Sequence, residues 1–308
     1  MSELVEKYAK EYGNKREKIG EARGEARGEA RGEARGETRA TVNTNINAVG
    51  NLMENMKLSL DQALDAIGIK GNDRTAVEEY YMSLETEKIN FELTASMMCA
   101  NFGNLEKEVK DLEAGGIDSF HIDIMDGRYV PNYAMSLNDM KYIRSATELP
   151  LDVHLMIEHP NTHIELFLQN LRKGDTVYIH PEAEYHPSTT LQKIIDAGMI
   201  PGIAINPGTS IETVMEMLQI VDKVLVMSVN PGNAGQMYLP YVGKKIDRLL
   251  KIKDEMGFEI YWDGACGMDK IKTFAPKGVR GFVLGTTVLF GKAKSYGDIL
   301  REIREMRI

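Results

Sequence analysis

Eight short apolar runs, separated by amphipathic stretches, occupy the chain from about residue 91 onwards. They fall at 92–98, 119–125, 151–157, 176–182, 200–206, 223–229, 259–265 and 281–287. Each is short enough for a strand and rich in aliphatic and β-branched residues. Between them the spacing turns helical, as in Phe102, Leu105, Val109 and Leu112, and again in Ile211, Val214, Leu218 and Val221. Strand–helix alternation repeated eight times predicts an α/β fold, a (β/α)8 TIM barrel over residues 91–308. A doubly wound open sheet is the main competitor, because periodicity does not report closure. No Gly-x-Gly-x-x-Gly follows the first run, which weighs against it.

Residues 1–90 read differently, as an extension of charged repeat and short helices with no catalytic role. Gly-Glu-Ala-Arg occurs four times over residues 20–35, followed by Gly36-Glu37-Thr38-Arg39. A four-residue period drifts about 40° per repeat on a helix, so like charges stack at i,i+4. Each Gly costs a helix roughly 1 kcal/mol against Ala, and no apolar stripe is present. The segment predicts a solvated linker or marginal helix. As a basic arm for DNA it fails, since every repeat cancels its own charge. Leu52, Met53 and Met56 suggest a short amphipathic helix over 51–57. Ser59-Leu60-Asp61-Gln62 has the form of a capping box opening a helix with Leu60, Ala63, Leu64 and Ile67. One more helix is expected over 75–87. This region resembles the tail of transposases of the PD-(D/E)XK nuclease family, without any nuclease core before it.

The 308 residues carry a net charge of −9. That acidity argues against nucleic acid or an anionic membrane surface as partner. Cys99 and Cys266 are the two cysteines, too few for a disulfide framework, and point to a reducing, cytoplasmic setting. No apolar run approaches the roughly 18 residues of a membrane span, and no apolar leader follows Met1. A homo-oligomer is compatible with all of this.

In a barrel of this type the chemistry sits at the C-terminal strand ends. Phe120-His121-Ile122-Asp123-Ile124-Met125-Asp126-Gly127 places His121 and Asp123 on one face of a strand that a turn then ends. The third run carries His154 and the seventh Asp263. Three of the six histidines, His121, His154 and His180, fall at strand ends. A single such His would be a satisfied core residue. Two His and two Asp converging from three strands read as a metal site.

The same residues carry a family resemblance. His121-Ile122-Asp123-Ile124-Met125-Asp126-Gly127, Val130-Pro131-Asn132, Leu151-Asp152-Val153-His154-Leu155-Met156, His180-Pro181-Glu182-Ala183 and Met227-Ser228-Val229-Asn230-Pro231-Gly232 resemble ribulose-phosphate 3-epimerases, in register on all eight strands. The resemblance implies one divalent metal ion (Zn, Fe, Mn or Co) on His121, Asp123, His154 and Asp263. It implies Asp123 and Asp263 as the catalytic acid/base pair and a sugar phosphate as substrate. Ser96 and His154 would contact that substrate, with Met125, Met156 and Met227 around the reacting carbon. Gly232, Asn233, Ala234 and Gly235, together with Gly264-Ala265 and Gly285-Thr286, would cradle the phosphate through backbone N–H groups.

Two departures stand out. The phosphate loop reads Gly-Asn-Ala-Gly where the family usually has Gly-Phe-Gly-Gly, and Ala234 would be strained if its position needs positive φ. The seventh run reads Tyr261-Trp262-Asp263-Gly264-Ala265 in place of Glu-Val-Asp-Gly-Gly, with Trp262 expected towards the helices. Three further features are similar to the D-allulose 6-phosphate branch of the family: Ser96-Met97-Met98-Cys99, Asp263-Gly264-Ala265-Cys266, and Gly285-Thr286-Thr287 with Leu289-Phe290. D-ribulose 5-phosphate is the alternative substrate. A related barrel decarboxylase or aldolase would want a Lys at a strand end, and none of the eight offers one. A DNA-associated protein with a relic barrel is the reading from another class, opposed by the intact ligand positions.

Overall fold

The computed structural model describes residues 36–56, 58–86 and 89–306. The four Gly-Glu-Ala-Arg repeats lie outside the described residues. The chain divides into two compact units, Met1–Lys88 and Ile89–Ile308.

In the first unit, helices Gly36–Met56 (α1), Leu60–Ile67 (α2) and Gly71–Thr86 (α3) pack round Val49, Ala63, Leu64, Ile69 and Val77. The expected helix at 51–57 is thus the end of a much longer one. The capping box is present: Ser59 Oγ accepts from the Gln62 N–H, and Gln62 Oε1 accepts from the Ser59 N–H at 2.9 Å. Of Leu60, Ala63, Leu64 and Ile67, Ile67 is the most exposed. It lies beside the helix-ending Gly68 (φ 74°) and is 37% exposed.

The second unit is a closed barrel of eight parallel strands in sequence order. They are β1 (Glu92–Ser96), β2 (Ser119–Met125), β3 (Leu151–Met156), β4 (Thr176–Ile179), β5 (Ile200–Ile205), β6 (Lys223–Met227), β7 (Glu259–Asp263) and β8 (Gly281–Leu284). Pairing of β1 with β8, from Glu92 opposite Gly281 to Ala95 opposite Leu284, closes the sheet and removes the open-sheet alternative.

Every strand begins where the sequence places it, but seven of the eight end one to three residues earlier, as at β1, where a 3-10 turn takes over at Met97–Cys99. After β4, Pro181 opens another such turn, and after β7 the chain turns at Gly264 (φ 88°). Phe102 lies in a 3-10 turn ahead of helix Leu105–Ala114 and is exposed. The expected helix through Ile211 and Val221 is instead two 3-10 turns, Ile211–Thr213 and Met217–Gln219. Its four apolar residues are still buried. β-Branched Ile211, Thr213 and Val214 crowd a helix, and a three-residue period buries the same face.

The period-two rule separates the layers. Phe120, Ile122 and Ile124 of β2 point out into the core shared with the surrounding helices, as does Trp262, whose ring packs 4.8 Å from that of Phe274. The alternate positions point inwards. Inside the barrel, Tyr178, Ala204, Leu225, Met227, Tyr261 and Val283 form a plug. Two glycines make room for its tyrosines. A Cβ on Gly202 would lie 2.4 Å from Tyr178 Cδ1, and one on Gly281 would lie 2.1 Å from Tyr261 Cδ1. At the N-terminal end Lys223 Nζ meets buried Asp152 at 3.3 Å, and the Tyr261 hydroxyl donates to Glu92 at 2.6 Å. The plug closes one end, so only the C-terminal mouth is left for a ligand.

Candidate active site

Strand register brings the polar residues together. Ser96 pairs with His121, Asp123 with His154, Met125 with Met156 and Met227 with Asp263. Because neighbours in register share a face, the inward side chains of five strands converge at the mouth. His121, Asp123, His154 and Asp263 each offer one donor atom, and all four atoms lie within 4.8 Å of one another. His154 Nδ1 is 3.2 Å from Asp123 Oδ1 and 3.7 Å from Asp263 Oδ2. His121 Nε2 is 3.4 Å from Asp123 Oδ1, 3.8 Å from Asp263 Oδ2 and 3.3 Å from His154 Nδ1. Donors bonded to a divalent ion at about 2.0–2.2 Å stand roughly 3.3–3.6 Å apart at the corners of a tetrahedron. Five of the six donor separations, at 3.2–3.8 Å, are close to that size, and two imidazoles with two carboxylates suit Zn²⁺, Fe²⁺, Mn²⁺ or Co²⁺. The cluster could hold a metal ion.

The remaining atoms of the two carboxylates are held from behind. The Ser96 hydroxyl donates to Asp123 Oδ2 at 2.9 Å, and the Gly264 N–H donates to Asp263 Oδ1 at 2.7 Å. Without a cation the cluster's own charges set its protonation. Burial pulls the His121 imidazolium down, but the charge and hydrogen bond of Asp123, with Asp263 and Asp152, outweigh it and raise His121 to about 9. Burial pushes Asp123 up, but His121 and the hydrogen bonds from both histidines win and hold it below the usual carboxylate range. Asp263 goes the other way, raised by burial and by the charge of Asp123 against the pull of His121. Two carboxylates driven apart in this way are suited to opposite acid–base roles.

Above the cluster lies a cleft of about 540 Å³. Ser96, Asp123 and Asp263 line its floor with Met125, Met156 and Met227, all three methionines buried. Gly232, Asn233, Ala234, Gly235, Gly264, Ala265, Gly285 and Thr286 line it as well. Among the described residues no Lys or Arg lines the cleft. The loop after β6 is tied through its carbonyls: Gln236 Nε2 donates to Asn230 O at 2.6 Å and Asn233 O at 2.9 Å, and Asn132 Nδ2 donates to Gly232 O at 2.7 Å. Among the described residues no protein group accepts from the N–H groups of Gly232, Asn233, Ala234 and Gly235. A loop with its carbonyls occupied and its N–H groups available is built for an anion.

Residues 92–289 match the "Ribulose-phosphate 3 epimerase family". The chain belongs to the ribulose-phosphate 3-epimerase family. Among relatives, a ribulose-phosphate 3-epimerase of Methanocaldococcus jannaschii is 34% identical over 215 residues, 69% of this chain and 88% of that protein. The Bacillus subtilis ribulose-phosphate 3-epimerase is 36% identical over 215 residues, 69% of this chain and 96% of that protein. Among solved structures, a Mycobacterium tuberculosis tryptophan synthase superposes with a TM-score of 0.53 at 10% identity, covering 73% of this chain and 96% of the other. That likeness shows the barrel fold alone. The protein is an isomerase, a carbohydrate epimerase. None of its described helices is long and apolar enough to cross a membrane.

The strain expected of Ala234 lies elsewhere. Ala265 is one of two described non-glycine residues at positive φ, the other being His159, and it stands at φ 42° where the family usually has its second Gly. Alanine pays about 1–2 kcal/mol to sit there. The neighbouring Gly264 has no such latitude, since a Cβ would come within 2.5 Å of Val229 Cγ2. Two residues carry roles that the sequence reading did not give them. Asn132 ties the loop after β2 to the loop after β6, and His180 contacts His154. Both stand in the motifs quoted above. For His180 a signal was present, because it shares the inward parity of Tyr178.

Proposed function

We propose that the protein interconverts D-allulose 6-phosphate and D-fructose 6-phosphate by inversion at C3, with Asp123 and Asp263 as the acid/base pair. The observation that carries this reading is the pairing of two carboxylates, driven apart in proton affinity, with two imidazoles beside a cleft that glycine-rich loops also line.

Inverting a carbon next to a ketone means taking its proton on one face and returning one on the other. Asp123, ionised and steadied by Ser96, takes the proton. Asp263 returns one from the opposite side, and the reverse reaction exchanges the roles. Met125, Met156 and Met227 line the cleft beside the carboxylates, so the proton is delivered by a carboxyl group, which exchanges with solvent between turnovers, and not by water directly. His121 Nε2, Asp123, His154 Nδ1 and Asp263 would hold a divalent ion, which when bound offsets the negative charge that develops on the ketone oxygen and its neighbour. The loops at 232–235, 264–265 and 285–286 bind the phosphate through N–H groups and set the distance from phosphate to C3.

Support for the six-carbon substrate comes from Cys99, Cys266 and Thr287, which line the cleft where the features similar to the allulose branch fall. D-Ribulose 5-phosphate is the second reading, favoured by the names of the relatives. One carbon in a fitted site is worth about 1–3 kcal/mol, or roughly 10–200-fold. Measured on one preparation, kcat/KM for the hexulose phosphate is expected to exceed that for the pentulose phosphate within this range, with both turned over. A preference for the pentulose reverses the substrate assignment and leaves the aspartates in place.

The chemistry belongs to residues 91–308 in this reading, and residues 1–90 contribute no group to it. A chain beginning at Lys88 is expected to keep the turnover number of the full chain. Loss of activity in that shorter chain, with the full chain active, would give residues 1–90 a part in the site.

A further inference from the structure

His180 follows β4 with its ring turned into the barrel, fully buried behind His154. Its Nε2 lies 2.8 Å from His154 Nε2. One proton occupies that contact, and a neutral imidazole has one N–H and one lone pair to offer. If His180 donates, the proton of His154 must sit on Nδ1, which faces Asp123 Oδ1 at 3.2 Å, and Nδ1 then has no lone pair for a metal. If His154 donates, Nδ1 is bare and faces the donors of His121, Asp123 and Asp263. A ligating imidazole commonly gives its second N–H to a carboxylate or a carbonyl. Here another carboxylate would add buried negative charge beside Asp123 and Asp263, whereas a neutral imidazole accepts without changing the charge of the site.

The surroundings fix His180 in this pose. Tyr129 packs on its ring with centroids 4.8 Å apart, and the Tyr129 hydroxyl accepts from Asn206 Nδ2 at 2.7 Å. His180 Nδ1 is buried with no protein partner among the described residues. An aliphatic side chain would fill the same space without an unpaired polar atom, so packing does not explain a histidine here and its Nε2 contact does. We propose that His180 is a positioning residue: its Nε2 accepts the Nε2–H of His154 and so locks His154 in the tautomer that presents Nδ1 to a divalent ion. The proposal rests on the metal reading above.

The test is metal affinity of the full chain, stripped by chelation and titrated with Co²⁺ and with Zn²⁺ against a competing chelator. His180→Leu is expected to weaken both ions by about 10–100-fold, with the thermal midpoint of the metal-free chain within a few degrees of wild type. His180→Gln, whose Oε1 reaches the position of Nε2 and accepts, is expected to restore affinity to within a few-fold. Unchanged affinity in His180→Leu, or a glutamine variant as weak as the leucine one, overturns the proposal. Nitrogen NMR of the Zn²⁺-loaded wild type gives a second readout that needs no variant to fold: His154 is expected as the Nε2–H form and His180 as the Nδ1–H form. The reverse assignment overturns it. Failure of the wild-type chain to bind either ion at the cluster is a different result, and removes the metal reading itself.

Discussion

Replacing Asp263 with Asn is expected to lower kcat by about 10²–10⁴-fold, the range a positioned proton donor supplies, with little change in KM. The amide keeps the shape of the carboxyl group and still presents an oxygen to the cluster, but it neither takes nor delivers a proton. Folding should survive, because Asp263 Oδ1 accepts from the Gly264 N–H, a bond that an amide oxygen also accepts. Asp123→Asn should be at least as damaging to turnover. Its carboxylate also accepts from Ser96 and lies against both histidines, so the metal-free cluster would lose the negative charge that raises His121. Steady-state kinetics with circular dichroism as the fold control decides the matter. Turnover near wild type in either variant means that the two-carboxylate mechanism is wrong.

His154→Ala is the second large effect. One substitution removes a donor atom 3.2 Å from Asp123 Oδ1 and leaves His180 without its partner in a fully buried space. Metal affinity should fall by more than the roughly 10–100-fold typical of groups one step removed from a metal, and activity should fall with it. In the wild-type chain, strong chelation should abolish epimerisation and a divalent ion restore it. Affinity also carries a pH signature. His121 is held up to about 9 in the metal-free cluster, so its proton must leave when an ion binds. Apparent affinity should therefore climb as the pH rises towards 9 and weaken as it falls. Full activity in a chain verified to be metal-free, or affinity that does not change across this range, contradicts the assignment of these ligands.

The barrel and the cluster were legible because both follow from simple periodicities. Alternation along β2 puts His121 and Asp123 on one face, and eight repeats of strand and helix give the strand count, while closure itself shows only in the pairing of β1 with β8. What the sequence hid depends on register and on backbone angles. The His154–His180 contact joins strands 26 positions apart and needs the exact stagger of β3 and β4. The tie from Asn132 to Gly232 crosses 100 positions between two loops. Loop φ values are equally hidden: Gly-Asn-Ala-Gly points to Ala234 as the strained alanine, whereas Ala265 is the one at positive φ. Strand starts were readable from the onset of apolar runs. Strand ends were not, since residues such as Met97 and Ala183 stay buried after the ladder has stopped.

The most direct test of the account is proton exchange at C3. Each ketose phosphate is incubated with the metal-loaded full chain in D2O and followed by NMR. The expected result is loss of the C3 proton signal together with appearance of the C3 epimer carrying deuterium, the epimer forming about 10²–10⁴-fold more slowly in Asp263→Asn and both changes abolished by chelation. No exchange at C3 of either sugar phosphate, in a chain shown to hold its metal, would contradict it.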